Sequence, residues 1–210
     1  MPNEVRLTIF VLLIILLVVA FFFLFFFNPI RRLYYKKNKL RYFYNAVMRV
    51  ARNGDYYLVN NLTLKVGSKD SVRINHIIGG DKYIYVITDR YFEGAVNVKP
   101  NDQKWVNYVK GNKKRDVVNP LYENRFAVDR LSLESGINSS FLIGIVLINS
   151  DCFLSQYQNN KGNSLLVPAN KLEKVVTSFE KKEDVTPFVK KQLWQTIHDL
   201  AELRSKNDGK

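Results

Sequence analysis

Cysteine and histidine are almost missing from this chain: it has one cysteine, Cys152, and two histidines, His76 and His198. A single thiol excludes an intrachain disulfide, and one cysteine with two histidines cannot close a four-ligand structural zinc site. That inventory fits a reducing compartment. Acidic residues are also scarce, with 19 Asp and Glu against 32 Lys and Arg for a net charge of +13. Such an excess favours anionic partners, either nucleic-acid backbones or acidic lipid headgroups. Internal repeats and Gly/Pro-rich linkers are lacking, so the part outside the apolar run described next reads as one domain. The richness in Asn, Lys, Ile, Tyr and Phe matches the coding bias of an AT-rich bacterial genome.

What the chain does have is a long hydrophobic run. From Leu7 to Phe27 there is no charge, and Thr8 is the single polar side chain. At 1.5 Å per residue the run makes a helix of about 31 Å, the thickness of a bilayer hydrocarbon core. It outlasts a signal-peptide core and ends in Phe-Asn-Pro rather than in small residues, so the expectation is a retained anchor. Arg6, offset by Glu4, precedes it; Arg31, Arg32, Lys36, Lys37, Lys39 and Arg41 follow. Because Lys and Arg stay on the cytoplasmic side, this asymmetry predicts a single-pass cell-membrane protein with its C-terminal part inside. The expected division is an extracytoplasmic N-terminus at 1–6, a transmembrane helix at 7–27, a basic aromatic juxtamembrane segment at 28–45, a domain at 46–206 and a tail at 207–210. In the juxtamembrane segment Tyr34, Tyr35, Tyr42, Phe43 and Tyr44 alternate with the six cations, which suits membrane lipid headgroups as partner.

Beyond the anchor, apolar spacing predicts a helix at 40–52 with Phe43, Val47, Val50 and Ala51 on one face, stopped by Asn53-Gly54. Short β-rich runs follow at 56–64, 72–78, 83–88 and 95–98, the third apolar throughout and therefore expected at the centre of a sheet. Asn119-Pro120 reads as the cap and first residue of a helix to about Leu133. Strands are expected at 141–149 and 165–167, and a helix at 171–180. Thr186-Pro187 is expected to cap a last helix striped by Val189, Leu193, Ile197, Leu200 and Leu203. Mixed strands and helices in this order predict an α/β domain, a central mixed sheet flanked by helices.

Several of these pieces stand in a recognisable order: GDYYLVNNLTL from Gly54, RINHIIGGDKYIYVITDRYFEGAV from Arg73, Trp105, and NPLYEN from Asn119. In that order they resemble the nuclease-related domain (NERD) family, a branch of the PD-(D/E)xK restriction-endonuclease-like fold, over about residues 40–205. The resemblance implies metal-assisted phosphodiester hydrolysis, with two carboxylates on Mg²⁺ and a lysine two residues beyond the second. Carried over residue by residue, the family's Asp falls on Asn75, its Glu on Thr88 and its Lys on Arg90. All three are replaced. A glutamate that the family places near the domain start is missing around Tyr42–Asn45, and Glu123 stands where the family tends to have Gln. A face without its carboxylates should bind Mg²⁺ poorly, and the fixed charge of Arg90 should repel the ion and suit a phosphate instead. Asp89, next to Thr88, is expected on the opposite face.

The expectation is therefore a catalytically inactive module with no metal cofactor, binding nucleic acid or serving as a scaffold at the membrane. Candidate contacts to DNA or RNA are Arg90, Lys99, Lys104, Lys110, Lys113, Lys114 and Arg115. Two alternatives stand beside it: a divergent Mg²⁺-dependent nuclease using Asp81, Asp89, Glu93 or Asp102, and a platform for other membrane proteins. His76 and His198 read as ordinary residues, and Cys152, beside Asp151, as an inert thiol. Gly79-Gly80 lacks the lysine and helix of a phosphate-binding loop.

Overall fold

The computed structural model describes residues 3–66, 70–109, 113–155 and 164–208. The chain divides into two compact units, one ending at Tyr42 and the other starting at Phe43.

In the first unit helix α1 (Asn3–Lys37) is continuous, so the expected juxtamembrane segment is helical to Lys37. Its stretch Val5–Phe23 has a mean hydropathy of 3.0 and is long and apolar enough to cross a membrane. None of that stretch is buried against protein. Asn38 ends the helix, and both its backbone amide and its side-chain amide donate to the Tyr34 carbonyl, at 3.0 and 3.1 Å. Arg41 donates to the Tyr34 hydroxyl at 3.0 Å, and the Tyr35 and Tyr42 rings meet edge to face at 4.9 Å.

The second unit is built on a five-stranded sheet. Helix α2 (Lys39–Asn53) buries Phe43, Val47, Val50 and Ala51, the stripe read from the sequence. Phe43 is 2% exposed and packs edge-on against Tyr91, so this ring serves the domain core rather than lipid headgroups, while Tyr44 lies beside His76 and stays 38% exposed. Strands β1 (Tyr57–Val66), β2 (Asp70–Gly79) and β3 (Ile84–Arg90) form an antiparallel meander. After an excursion the chain returns through α3 (Pro120–Ser135) to β7 (Leu142–Ile148) and β9 (Ser164–Pro168), both parallel to β3. The order β1-β2-β3-β7-β9 puts β3 at the centre, where its apolar run, Ile84 to Ile87, is fully covered. The expected mixed sheet flanked by helices is present.

Helix α3 and helix α5 (Lys190–Asp208) cover one face, closing a core of Ile77, Ile84, Val86, Ala127, Val128, Leu131, Leu193, Ile197 and Leu200. Helix α4 (Leu172–Glu180) sits on the other face, with Phe179 edge-on to Tyr83 and Tyr85. Asn53 of α2 bonds Glu173 of α4 at 2.9 Å, which ties these two helices together. Helix α5 does not open at Thr186-Pro187. The Phe188 amide is taken by the Asp81 carbonyl at 2.7 Å and its ring by Phe141, so the first helical bond forms only at Val189, whose carbonyl accepts from Leu193. Val189 is accordingly 60% exposed and outside the buried stripe.

The excursion between β3 and α3 supplies three strands of a second sheet, joined by a fourth from beyond β7, that the sequence reading left out except for one strand. Strands β4 (Ala95–Asn97), β5 (Lys104–Val109), β6 (Lys113–Val118) and β8 (Phe153–Leu154) assemble in the order β6-β5-β4-β8. Its inner side, with Val96, Val98 and Trp105, packs on Leu121, Val146, Ile148 and Leu166. Gly94, at φ +86°, permits the approach of β4 to β5, because a Cβ there would stand 2.2 Å from the Tyr108 carbonyl oxygen.

Candidate functional site

The three positions carried over from the nuclease motif lie where β2 and β3 part. Their pairing runs from Gly79 opposite Ile84 to His76 opposite Ile87 and stops there, while β3 goes on beside β7 as far as Arg90. The Asp89 amide therefore has no backbone partner in β2, and the Asn75 side-chain oxygen accepts it at 3.1 Å. Asn75 spends its one good ligand atom on holding the split open in a fixed shape.

Thr88 is 6% exposed and is absorbed into a buried polar network. The Asn124 amide donates to Thr88 Oγ1 and to the Val86 carbonyl, both at 3.1 Å, and to the Ile145 carbonyl at 3.4 Å. Asn124 Oδ1 accepts from Ser164 at 2.9 Å. One side chain thus links α3, β3, β7 and β9. Arg90 projects from the end of β3 to Glu123, with Nη2 and Oε2 2.5 Å apart and both side chains about two-fifths exposed, at 42% and 40%. Glu123 neutralises the guanidinium, so the repulsion expected of Arg90 toward a metal ion is largely offset. The obstacle to Mg²⁺ is the donor set itself. A neutral amide oxygen, a hydroxyl and a paired guanidinium offer no unpaired carboxylate, and each is already engaged with protein. The residues present do not fit the ion.

The displaced acids do not converge either. Asp89 turns to the opposite face from Thr88, as alternation requires, and its Oδ2 lies 3.0 Å from His76 Nε2, with both side chains 7% exposed. His76 Nδ1 lies 2.6 Å from Asn60 Oδ1, so the histidine is a rivet between β1, β2 and β3. Asp81 is exposed in a turn, and Asp102 pairs with Lys99 at 3.6 Å. Among the described residues no group of three or more His, Cys, Asp and Glu side chains could hold a metal ion.

The other residues that carried the resemblance prove to be framework. Trp105 is 1% exposed and donates to the Lys99 carbonyl at 2.8 Å. Asn119 donates to the Pro100 and Asp102 carbonyls at 3.0 and 2.7 Å, and its oxygen caps α3 at the Leu121 amide. Tryptophan and cap together fasten the loop at 99–102. A family model described as Nuclease-related domain matches residues 36–149. The chain belongs to the nuclease-related domain (NERD) family. No curated protein and no solved structure matches it. The matched stretch of this NERD chain holds α2, β1 to β7 and α3, and so contains Asn75, Thr88 and Arg90 together with the framework around them.

Of the predicted basic contacts, Lys104, Lys113, Lys114 and Arg115 lie on β5 and β6, all exposed, with Lys104 and Lys114 on the outward side of the sheet and Lys113 and Arg115 on the other side of the edge strand. Lys114 stands over the Tyr108 ring at 5.7 Å. Lys99 is in the fastened loop beside Asp102, Arg90 is apart and paired, and Lys110 lies outside the described residues. The juxtamembrane cations Arg31, Arg32, Lys36, Lys37, Lys39 and Arg41 belong to the N-terminal unit. Burial, with Asp151 adding to it, pushes the Cys152 thiol up to about 11, in keeping with an inert residue.

Sequence reasoning missed Asn124 and Glu180. A buried Asn within the apolar stripe Leu121, Ala127, Val128 and Leu131 was the available sign of the first. Glu180, at the end of α4, accepts from the Tyr85 hydroxyl at 2.5 Å and the Lys82 amide at 2.8 Å. Burial raises its carboxyl above the ordinary value although these two bonds pull it down. Tyr85 is raised as well, by burial first and by the Glu180 bond second. No local pattern announces such a long-range pair.

Proposed function

We propose that this NERD chain is a membrane-tethered module that binds nucleic acid at the cytoplasmic face without cutting it. Its support is the contrast between two surfaces. On the motif face every polar group that would serve hydrolysis is engaged with protein, through Asn75 to Asp89, Thr88 to Asn124 and Arg90 to Glu123. On the small sheet Lys104, Lys113, Lys114 and Arg115 face solvent, and among the described residues no carboxylate pairs with them. Helix α1 supplies the tether, and the charge asymmetry around it supplies the orientation.

The test is fluorescence anisotropy of labelled DNA and RNA with the full chain in detergent. Four phosphate contacts give a log–log salt slope of about −3 on a single strand, and the combined Lys113→Ala, Lys114→Ala and Arg115→Ala variant flattens it toward about −1. Incubation in Mg²⁺ or Mn²⁺ leaves the strands intact. Binding that ignores salt, or metal-dependent cleavage lost in Asp81→Ala, Asp89→Ala or Glu93→Ala, contradicts the proposal. Protease added outside intact cells spares the C-terminal domain; its digestion there reverses the orientation.

A further inference from the structure

The outer face of the small sheet carries a row of side chains in direct register across all four strands. Lys114 on β6 is opposite Tyr108 on β5, Tyr108 is opposite Ala95 on β4, and Ala95 is opposite Phe153 on β8. Residues directly opposite one another point to the same side of a sheet, so cation, ring, methyl and ring share one solvent-facing line. Tyr108 is 38% exposed and Phe153 73%. The strand that presents Phe153 is only two residues long, yet it is fixed at both ends, by Phe153 N to the Gly94 carbonyl at 3.1 Å and Ser155 N to the Val96 carbonyl at 3.0 Å. Ser155 also bonds the Asn97 side chain at 3.1 Å. A ring held this firmly in water gains nothing for the fold by its exposure.

Resting on the nucleic-acid reading above, we infer that this face is a platform for single-stranded nucleic acid, with bases stacked on Tyr108 and Phe153 and phosphates held by Lys104 and Lys114. The two rings are two strand spacings apart, about 9.6 Å, and the small Ala95 between them leaves a shallow trough for the intervening nucleotide. Lys104 lies on the same outward side of β5 as Tyr108, four residues before it, and Lys113 and Arg115 extend the positive charge along the edge strand. Rings interleaved with cations on an open sheet match the chemistry of unpaired bases, which show their faces, and not that of a duplex, whose faces are stacked within the helix. Among the described residues of the four strands Asp116, on the same outward side of β6, is the one acid, and it is outnumbered.

The experiment uses the full chain in detergent with labelled 12-nucleotide DNA and RNA single strands and a 20-base-pair duplex. Single strands are expected to bind at least tenfold tighter than the duplex at equal salt. Tyr108→Ala and Phe153→Ala should each weaken single-strand binding about tenfold, within the range for loss of one stacked base, with little change in the salt slope. Tyr108→Phe and Phe153→Tyr, which keep a ring, should restore it. Both side chains are exposed, so unchanged melting curves are expected. Equal affinity for strands and duplex, unmoved by the ring variants but reduced by the Lys113, Lys114 and Arg115 variant, would overturn the platform and leave the general reading standing. Absence of any nucleic-acid binding would remove both.

Discussion

Replacing Asn124 by alanine should be among the most damaging single changes in the domain, although the residue touches no ligand. The side chain is fully buried, and three of its hydrogen bonds have good geometry, to the Val86 carbonyl at 3.1 Å, Thr88 Oγ1 at 3.1 Å and Ser164 Oγ at 2.9 Å. Each contributes about 1 kcal/mol net, and the hydroxyl left unpaired at buried Ser164 adds about 1 kcal/mol or more. The small cavity adds to this and an entering water subtracts, so a loss of about 3–4 kcal/mol is expected. Thr88→Val, which leaves the amide its Val86 acceptor, should cost only about 1 kcal/mol. Tyr122→Ala, at a neighbour that is 63% exposed, should stay within about 0.5 kcal/mol. Urea unfolding of the full chain in nonionic detergent, followed by tryptophan emission as the buried Trp105 becomes exposed, measures all three at constant slope. A cost under about 1 kcal/mol for Asn124→Ala would mean that Thr88 is not held by a protein network, and the account of the motif face would fail.

Glu180→Gln should change how stability varies with pH. A carboxyl whose folded value is raised keeps more protons folded than unfolded, so its share of stability is complete below the ordinary 4.5 and is lost as pH rises through the raised value. The variant should therefore melt closer to the parent at pH 4.5 and relatively higher at pH 8; the opposite trend would refute the assignment. Gly80→Ala places a Cβ 2.3 Å from Glu180 Oε1 and 3.1 Å from the Tyr83 carbonyl, and should cost about 1–3 kcal/mol by thermal melting, less when Glu180→Ala is also present. Alkylation of Cys152 by iodoacetamide should be slow at pH 8 and accelerate only toward pH 11 in the folded chain, and fast labelling at pH 8 would contradict the burial of the thiol.

The sequence disclosed the elements whose pattern is local. The apolar run at 83–88 became the central strand, the stripe of α2 was correct to the residue, and Asn119-Pro120 capped a helix as read. The small sheet escaped because β6 is written as KKRDVV, four charges that read as a loop and that an exposed edge strand tolerates, and because β8 has only two residues. The substitutions at Asn75, Thr88 and Arg90 were legible, but their partners were not. Glu123 and Asn124 lie across a crossover helix from β3, and which of its residues meets which strand position is decided by packing. Phe43 carried two readings, as part of the apolar stripe of α2 and as a ring among basic residues beside a membrane run, and α2 turns it inward as the stripe required.

The paired arrangement at the end of β3 also bears on the paths open to this chain by mutation. Thr88→Glu alone would put an uncompensated carboxylate against the Asn124 network, and Arg90→Lys alone would loosen the contact with Glu123. Asn75→Asp alone keeps an acceptor for the Asp89 amide but gains charge with no cation to meet it. Each step toward a metal-binding face is downhill in stability until several are made together, so the present state is a local optimum with a barrier around it. Wherever a relative carries the Thr–Asn and Arg–Glu pairs, the members of each pair should change together or not at all.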